Sequence, residues 1–285
     1  MTILAAACAA GGASAAHADG IIPQAFTTVW KKASTVSYQA PSANDAEAAR
    51  GLFERLLKGE RGDPLRRQAA QLGWEMRSEK SAGTDWTVLV EPASERAGRG
   101  MYAFSDKGRH ALQAPHVPSD GLTGDILVRF AGDGLPRALA WNTVHRKQAD
   151  LAHLDYTYFN AFALAYARAF PNERIFQLHG FDSDRRKSGA GADSAAIISA
   201  TIDRPPPALR EAVSCLKKRV AEKTRLYGVD VRELGGTTNS GAKALRQAGY
   251  ADFVHIELDR DLRERLLNSA ADRQAFFECL GGSDR

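Results

Sequence analysis

The sequence predicts an α/β protein in three layers, with a mostly parallel or mixed sheet, preceded by a small N-terminal α+β extension. Three observations predict it. From residue 111 onward, short apolar runs alternate with longer amphipathic stretches, the rhythm of strands covered by helices on both faces. The 285-residue chain is 44% hydrophobic and 25% charged, which is ordinary globular composition with material for one large core. Several histidines directly follow apolar runs, and open sheets of this kind bind ligands beyond the carboxyl ends of their strands.

The elements follow in order. Residues 3–18 carry no Asp, Glu, Lys or Arg, are dominated by alanine, and end in Ala16-His17-Ala18 before Asp19. That small-x-small ending reads as a signal peptide whose basic start lies further upstream, or else as a flexible Ala/Gly tail. Residues 44–57 set Ala46, Ala49, Leu52, Phe53, Leu56 and Leu57 on one helical face, and a second helix is expected over 62–72, closed by Gly73. Strands are expected over 86–90 and 100–104, so residues 19–110 read as the α+β extension. The main α/β domain then spans 111–285. Its strands are expected over 112–114, 138–144, 174–178, 195–202, 229–234 and 253–258, and its helices over 156–170, 207–226, about 242–248 and from about 260.

Charge and cysteine content narrow the function classes. The net charge is only +4 and no Lys/Arg cluster alternates with aromatics, so nucleic acid is not an expected partner. No stretch after the leader reaches the roughly 18–20 apolar residues of a membrane span. Removal of residues 1–18 would leave Cys215 and Cys279, a pair that either forms one disulfide between two C-terminal helices in an oxidising compartment or remains as two buried thiols. The protein is expected to be exported, periplasmic or secreted, with cytoplasmic residence the alternative.

Chemistry concentrates at the strand exits. His116 follows an apolar strand, and the Pro115-His116-Val117-Pro118-Ser119-Asp120 loop brings a carboxylate four residues later. Imidazole nitrogen and carboxylate oxygen are a good pair of Zn²⁺ ligands, and His179, ending the run 174–178, is the third candidate. Gly180 then allows an abrupt turn. In the run 253–258, alternation puts His255, Glu257 and Asp259 on one face. An unpaired buried carboxylate there is costly, so Glu257 is either a general base that takes a proton from water and returns it to a leaving amine, or the partner of Arg260 or Arg263. Asp150 and His153 share one face of a first helical turn and either complete the metal site or orient its ligands, while Arg146 offers a fork for a substrate carboxylate or a developing oxyanion. The bland reading of this cluster is a solvated helix start. Glu233, Thr237 and Asn239 lie in a glycine-rich loop suited to polar substrate. There is no Gly-x-Ser-x-Gly and no P-loop.

The order of a strand-exit His with a nearby acid, an Arg/Asp helix entry, a second strand-exit His and a late strand-borne Glu resembles the zinc amidohydrolase and carboxypeptidase group. That group includes N-formylglutamate amidohydrolases, poly-γ-glutamate hydrolases, metallocarboxypeptidases and muramoyl-alanine amidases. The resemblance spans about residues 111–270. It implies a phosphorylase/hydrolase-like sandwich, one zinc ion on His116, Asp120 and His179, a catalytic Glu257, and a peptide, acylated amino acid or cell-wall fragment as substrate. The chain departs from the metallocarboxypeptidase His-x-x-Glu, because Ser119 stands in the acidic place. The competing expectations are a non-catalytic exported binding or scaffold protein on the same fold, and a metal-independent hydrolase using the same side chains.

Overall fold

The computed structural model describes residues 21–30, 35–81, 83–117 and 119–281. The leader expected over 1–18 lies outside the described residues. The chain begins with helices α1 (Ile21–Trp30), α2 (Ala43–Leu57) and α3 (Asp63–Gln71), followed by strands β1 (Glu75–Ser81), β2 (Thr84–Val90), β3 (Met101–Ser105) and β4 (Arg109–Ala114). Next come α4 (Thr123–Gly132), β5 (Pro136–Trp141), α5 (Tyr158–Ala169), β6 (Ile175–Gly180), the short α6 (Gly189–Ala192), β7 (Ala196–Ser199) and α7 (Pro207–Arg219). Strand β8 (Thr224–Leu226), α8 (Ser240–Gln247), β9 (Phe253–Leu258), α9 (Arg260–Asn268) and α10 (Ala270–Gly281) complete it.

The strands form one nine-stranded mixed sheet in the order β1-β2-β3-β5-β4-β6-β9-β7-β8. Its centre is parallel, through β5, β4, β6 and β9. The β1–β3 meander joins antiparallel to β5, and β7 joins antiparallel to β9 while pairing parallel with β8. The boundary expected at residue 110 falls inside β4, and the sheet runs straight through it: the segment read as an extension supplies three strands of the common sheet.

Alternation along the strands divides the core between two faces. Leu112, Phe176, Leu178, Val254, Ile256 and Leu258 face α1, α4, α7, α9 and α10. Ala111, Ile175 and Phe253 face α2, α5 and α8, where Phe53 packs on Trp74, Tyr102 and Phe162. This is the expected three-layer sandwich. On the second face a polar row crosses the central strands, because Gln113 pairs with Gln177, Gln177 with His255, and His255 with Ser199. Two residues further along, His179 pairs with Glu257. The helices over that row start on side-chain caps, with the Thr157 hydroxyl accepting from Asn160 N–H at α5 and the Asn239 carbonyl from Ala242 N–H at α8.

Several expected elements differ. The helix expected over 207–226 ends at Arg219, and Thr224–Leu226 is instead the short edge strand β8. The strand expected over 229–234 is reduced to a single bridge between Tyr227 and Val231, since Val229 N–H and Asp230 N–H both donate to the Leu226 carbonyl in a local turn. Cys215 of α7 and Cys279 of α10 are joined in a disulfide with Cα atoms 5.4 Å apart. No helix among the described residues is long and apolar enough to cross a membrane.

Candidate metal centre

The site lies where β4 and β6 end. After β4 the chain makes a tight turn in which Ser119 N–H and Asp120 N–H both donate to the His116 carbonyl, at 2.7 and 2.8 Å. The turn folds the Asp120 carboxylate back over the His116 ring, with Oδ2 3.2 Å from His116 Nδ1. His179, near the end of β6, brings its Nδ1 to 3.1 Å from His116 Nδ1 and 3.4 Å from Asp120 Oδ2. All three residues are buried, and they form a group that could hold a metal ion.

The remaining ring nitrogens decide what these three atoms present. His116 Nε2 lies 2.8 Å from Asp150 Oδ1, and an ionised carboxylate only accepts, so Nε2 carries the proton. His179 Nε2 lies 3.1 Å from Gln177 Oε1, which also accepts from Asn239 Nδ2 at 2.6 Å, while Gln177 Nε2 donates to Gln113 Oε1 at 3.1 Å. That chain fixes Gln177 as an acceptor and His179 as the Nε2–H tautomer. Both neutral imidazoles therefore point Nδ1 lone pairs at each other and at a carboxylate oxygen. With both rings neutral that arrangement is repulsive, and either a metal ion or a proton on His116 Nδ1 relieves it. A tetrahedral ion with bonds of about 2.0–2.1 Å sets its ligand atoms about 3.3 Å apart, which the observed edges match.

Protonation energetics divide the three groups. Burial pushes the His116 pKa down, but its bonds to Asp120 and Asp150 outweigh this and leave it above its ordinary value. Burial pushes Asp120 up, yet the two histidines hold it well below the usual carboxylate range. His179, buried and beside His255, is brought down to about 4, so it stays neutral with its lone pair available.

The other sequence-predicted residues separate into near and far. Asp150 is at the centre: besides His116 it takes His153 Nδ1 at 3.1 Å and Arg146 Nη2 at 3.1 Å, and hydrogen bonds to both histidines hold its pKa low against burial. Arg146 also reaches toward Asp120 at 3.8 Å, so the fork read as a substrate clamp is engaged by the site's own carboxylates, although 41% of its side chain is exposed. His153 Nε2 meets Thr238 Oγ1 at 3.1 Å, whereas Thr237 is exposed without such a contact. Asn239 supports Gln177, which in turn holds His179, and it also caps α8; it is thus an outer partner of the site, one of the two roles open to it, the other being substrate contact. Glu233 is not at the centre. It accepts from Lys187 N–H, Ser188 N–H and Ser188 Oγ, and organises the loop before α6.

Glu257 stands on β9 in register with His179 and is buried. Neither arginine proposed as its partner reaches it: Arg260 pairs with Glu264, and Arg263 donates to the carbonyls of Gly121, Phe181 and Asp259. Asp259 is turned to the α9 N-terminus, where it accepts from Leu262 N–H. Sequence reasoning missed Gln177 and gave Arg263 a different duty. The buried guanidinium of Arg263 ties the loop after β4 to the loop after β6, and a Cβ at Gly180 would lie 2.6 Å from its Nη1. Gly180 is thus required for the arginine's approach, in addition to any turn.

No protein-family model and no curated protein matches the sequence. Among solved structures, LapB from Legionella pneumophila is similar at 11% identity and a TM-score of 0.41, over 91% of this chain and 71% of that one. A likeness that distant is silent about chemistry.

Proposed function

We propose that this protein is a zinc-dependent hydrolase that cleaves an amide bond in a peptide, an acylated amino acid or a cell-wall fragment. The observation that carries the reading is the convergence of His116 Nδ1, His179 Nδ1 and Asp120 Oδ2 at mutual distances of 3.1–3.4 Å, with both opposite nitrogens engaged as donors. Two imidazoles and one carboxylate are a donor set that suits zinc and leaves a position open. A zinc ion bound there would polarise a carbonyl and lower the pKa of water. Asp150 and Gln177 hold the two imidazoles in the tautomer that presents Nδ1. Glu257, in register with His179 and with no ion pair to Arg260 or Arg263 among the described residues, would take a proton and return it to the departing amine. Arg146, partly exposed at the rim, presents positive charge to a substrate carboxylate or a developing oxyanion.

One detail speaks against a serine–histidine pair at the rim. Ser119 Oγ lies 3.5 Å from His145 Nε2, but His145 Nδ1 already accepts from Lys147 N–H at 3.1 Å. The neutral ring therefore carries its proton on Nε2 and cannot take one from Ser119. The Cys215–Cys279 disulfide fits an oxidising compartment and supports the exported reading, in which cell-wall fragments are natural substrates.

Metal analysis together with a hydrolysis panel of N-acetyl amino acids, short peptides and muropeptides tests the proposal. About one equivalent of zinc and zinc-dependent cleavage of a panel amide are expected, both lost in His116→Ala and His179→Ala. A protein that takes up no zinc at micromolar concentration refutes the metal assignment. One that holds zinc and cleaves nothing on the panel is the binding or scaffold protein instead.

A further inference from the structure

We infer that His255 is the positioning residue for Glu257, holding its carboxylate beside His179 by donation from Nε2–H. The contact itself stands on geometry alone; its consequence for turnover rests on the hydrolase reading above.

Glu257 is a buried carboxylate, and such groups normally sit against a cation or several donors. Here Arg260 and Arg263 are engaged elsewhere, and the side chain within reach is His255, whose Nε2 lies 3.3 Å from Glu257 Oε1. His255 is itself 4% exposed, and neither of its ring nitrogens has an aligned hydrogen bond. Burying an imidazole in that state is costly, so the position is poorly explained by packing.

Among the described residues, the neighbours leave His255 no other hydrogen-bond partner. On one side in the sheet, Gln177 Oε1 is engaged by His179 and Asn239. On the other, the Ser199 hydroxyl donates to the Gly235 carbonyl at 2.7 Å. The imidazole lies in a slot between two surfaces. One is the His179 ring, with centroids 4.5 Å apart. The other is the backbone of Gly236, where a Cβ would fall 2.7 Å from His255 Cγ and Nδ1. Gly236 has φ +60, so glycine suits both the close approach and the backbone there. The slot prevents the ring from swinging away and keeps Nε2 3.3 Å from Oε1. A glutamate at a strand end would otherwise have several rotamers available, whereas a general base must stay within hydrogen-bond reach of the proton it takes.

The experiment combines ¹⁵N NMR of histidine-labelled protein with turnover of the panel amide that the wild type cleaves. The His255 ring is expected as the Nε2–H tautomer, and its Nε2–H resonance is expected to shift in Glu257→Ala. His255→Phe should keep its zinc and the wild-type KM while kcat falls about 10–100-fold, the usual cost of losing an outer partner of a site residue. His255→Gln, whose amide can donate from the same place, should recover most of that loss. In the His255→Phe background, Glu257→Gln should cost less than it does alone, because the pair acts as one unit. A His255 ring protonated on Nδ1, a resonance indifferent to Glu257→Ala, or additive losses in the double variant would overturn the assignment. Absence of zinc or of any cleavage would refute the hydrolase reading, and the NMR result would still decide the contact.

Discussion

At the scale of single residues, the centre depends on hydrogen bonds that assign protons. Asp150 and Gln177 each fix one imidazole so that Nδ1 is free, and neither touches the point where the three ligand atoms converge. Asp150→Asn and Gln177→Leu should therefore leave the fold intact while weakening zinc affinity about 10–100-fold, measured by competition with a chelator. Unchanged affinity in both variants would mean that the tautomers are set by something else. Glu257→Gln should show the opposite profile, retaining zinc while losing roughly 10²–10⁴-fold in turnover. Asp120→Asn should release zinc first. His116, Asp120 and His179 were legible in the sequence because strand exits in a parallel sheet converge, both histidines follow apolar runs, and a tight loop returns Asp120 to His116. Gln177 was not, because a glutamine between Phe176 and Leu178 in a buried strand reads as filler until its register against Gln113 and His255 is known. Glu233 was misplaced for the converse reason: a carboxylate near glycines and hydroxyls looks like a substrate group, yet the nearest demand was from the amides of Lys187 and Ser188.

At the scale of elements, local pattern served well where helices are amphipathic or strands are continuously apolar, as in α2, α5, β6 and β9. It failed at edges. Strand β1, Glu75–Ser81, consists mostly of charged and polar residues because it borders the sheet on one side, where charge discourages further pairing. Strand β8 has only three residues and follows a helix whose apolar spacing continues through Val220, so no change of period marks it. The element pair most open to experiment is α7 and α10. They pack through Leu216, Phe276 and Leu280, and their cysteines close a loop with a sequence separation of 64 residues. Loop-closure entropy for that span is about 4 kcal/mol, so Cys215→Ser with Cys279→Ser should lower unfolding stability by about 2–4 kcal/mol in denaturant titrations. Both thiols should be unreactive toward alkylation until a reductant is added. Free thiols in the oxidised protein would remove this support for export.

Across the whole molecule, two buried imidazoles at opposite ends of the neighbouring strands β4 and β6 link stability to pH. His110 opens β4 with φ +61, and its Nδ1 accepts from Arg174 N–H at 3.0 Å, so the ring is neutral; burial brings its pKa down to about 4, against an opposing pull from Glu173. His179 is likewise lowered to about 4. In the unfolded chain both titrate near 6.5, at roughly the ordinary histidine value. Between those limits the unfolded state binds protons that the folded state refuses, so stability is greatest above about pH 6.5 and falls as pH drops toward 4. For His110 the full difference is on the order of 3 kcal/mol. His110→Asn, which tolerates the left-handed backbone, should flatten that slope with or without metal. The carboxylates of Asp120 and Asp150 have lowered pKa values, so their contribution stays in place through this window and is lost only at more acid pH. His116 has the reverse sign: its raised pKa favours the folded state at low pH, and that contribution disappears as pH rises through its folded value. Zinc competes with protons for the same Nδ1 atoms, so its stabilisation should grow with pH. With zinc at about 1,000 times its Kd, the gain is about 4 kcal/mol, or roughly 8 °C in Tm for a chain of this size. Thermal unfolding with and without zinc should therefore show a shift of that order at pH 7.5 that shrinks markedly at pH 5. His179→Ala should abolish the zinc response while preserving the slope due to His110. An equal zinc shift at both pH values would mean that the ion binds through carboxylates alone and not through the two imidazoles.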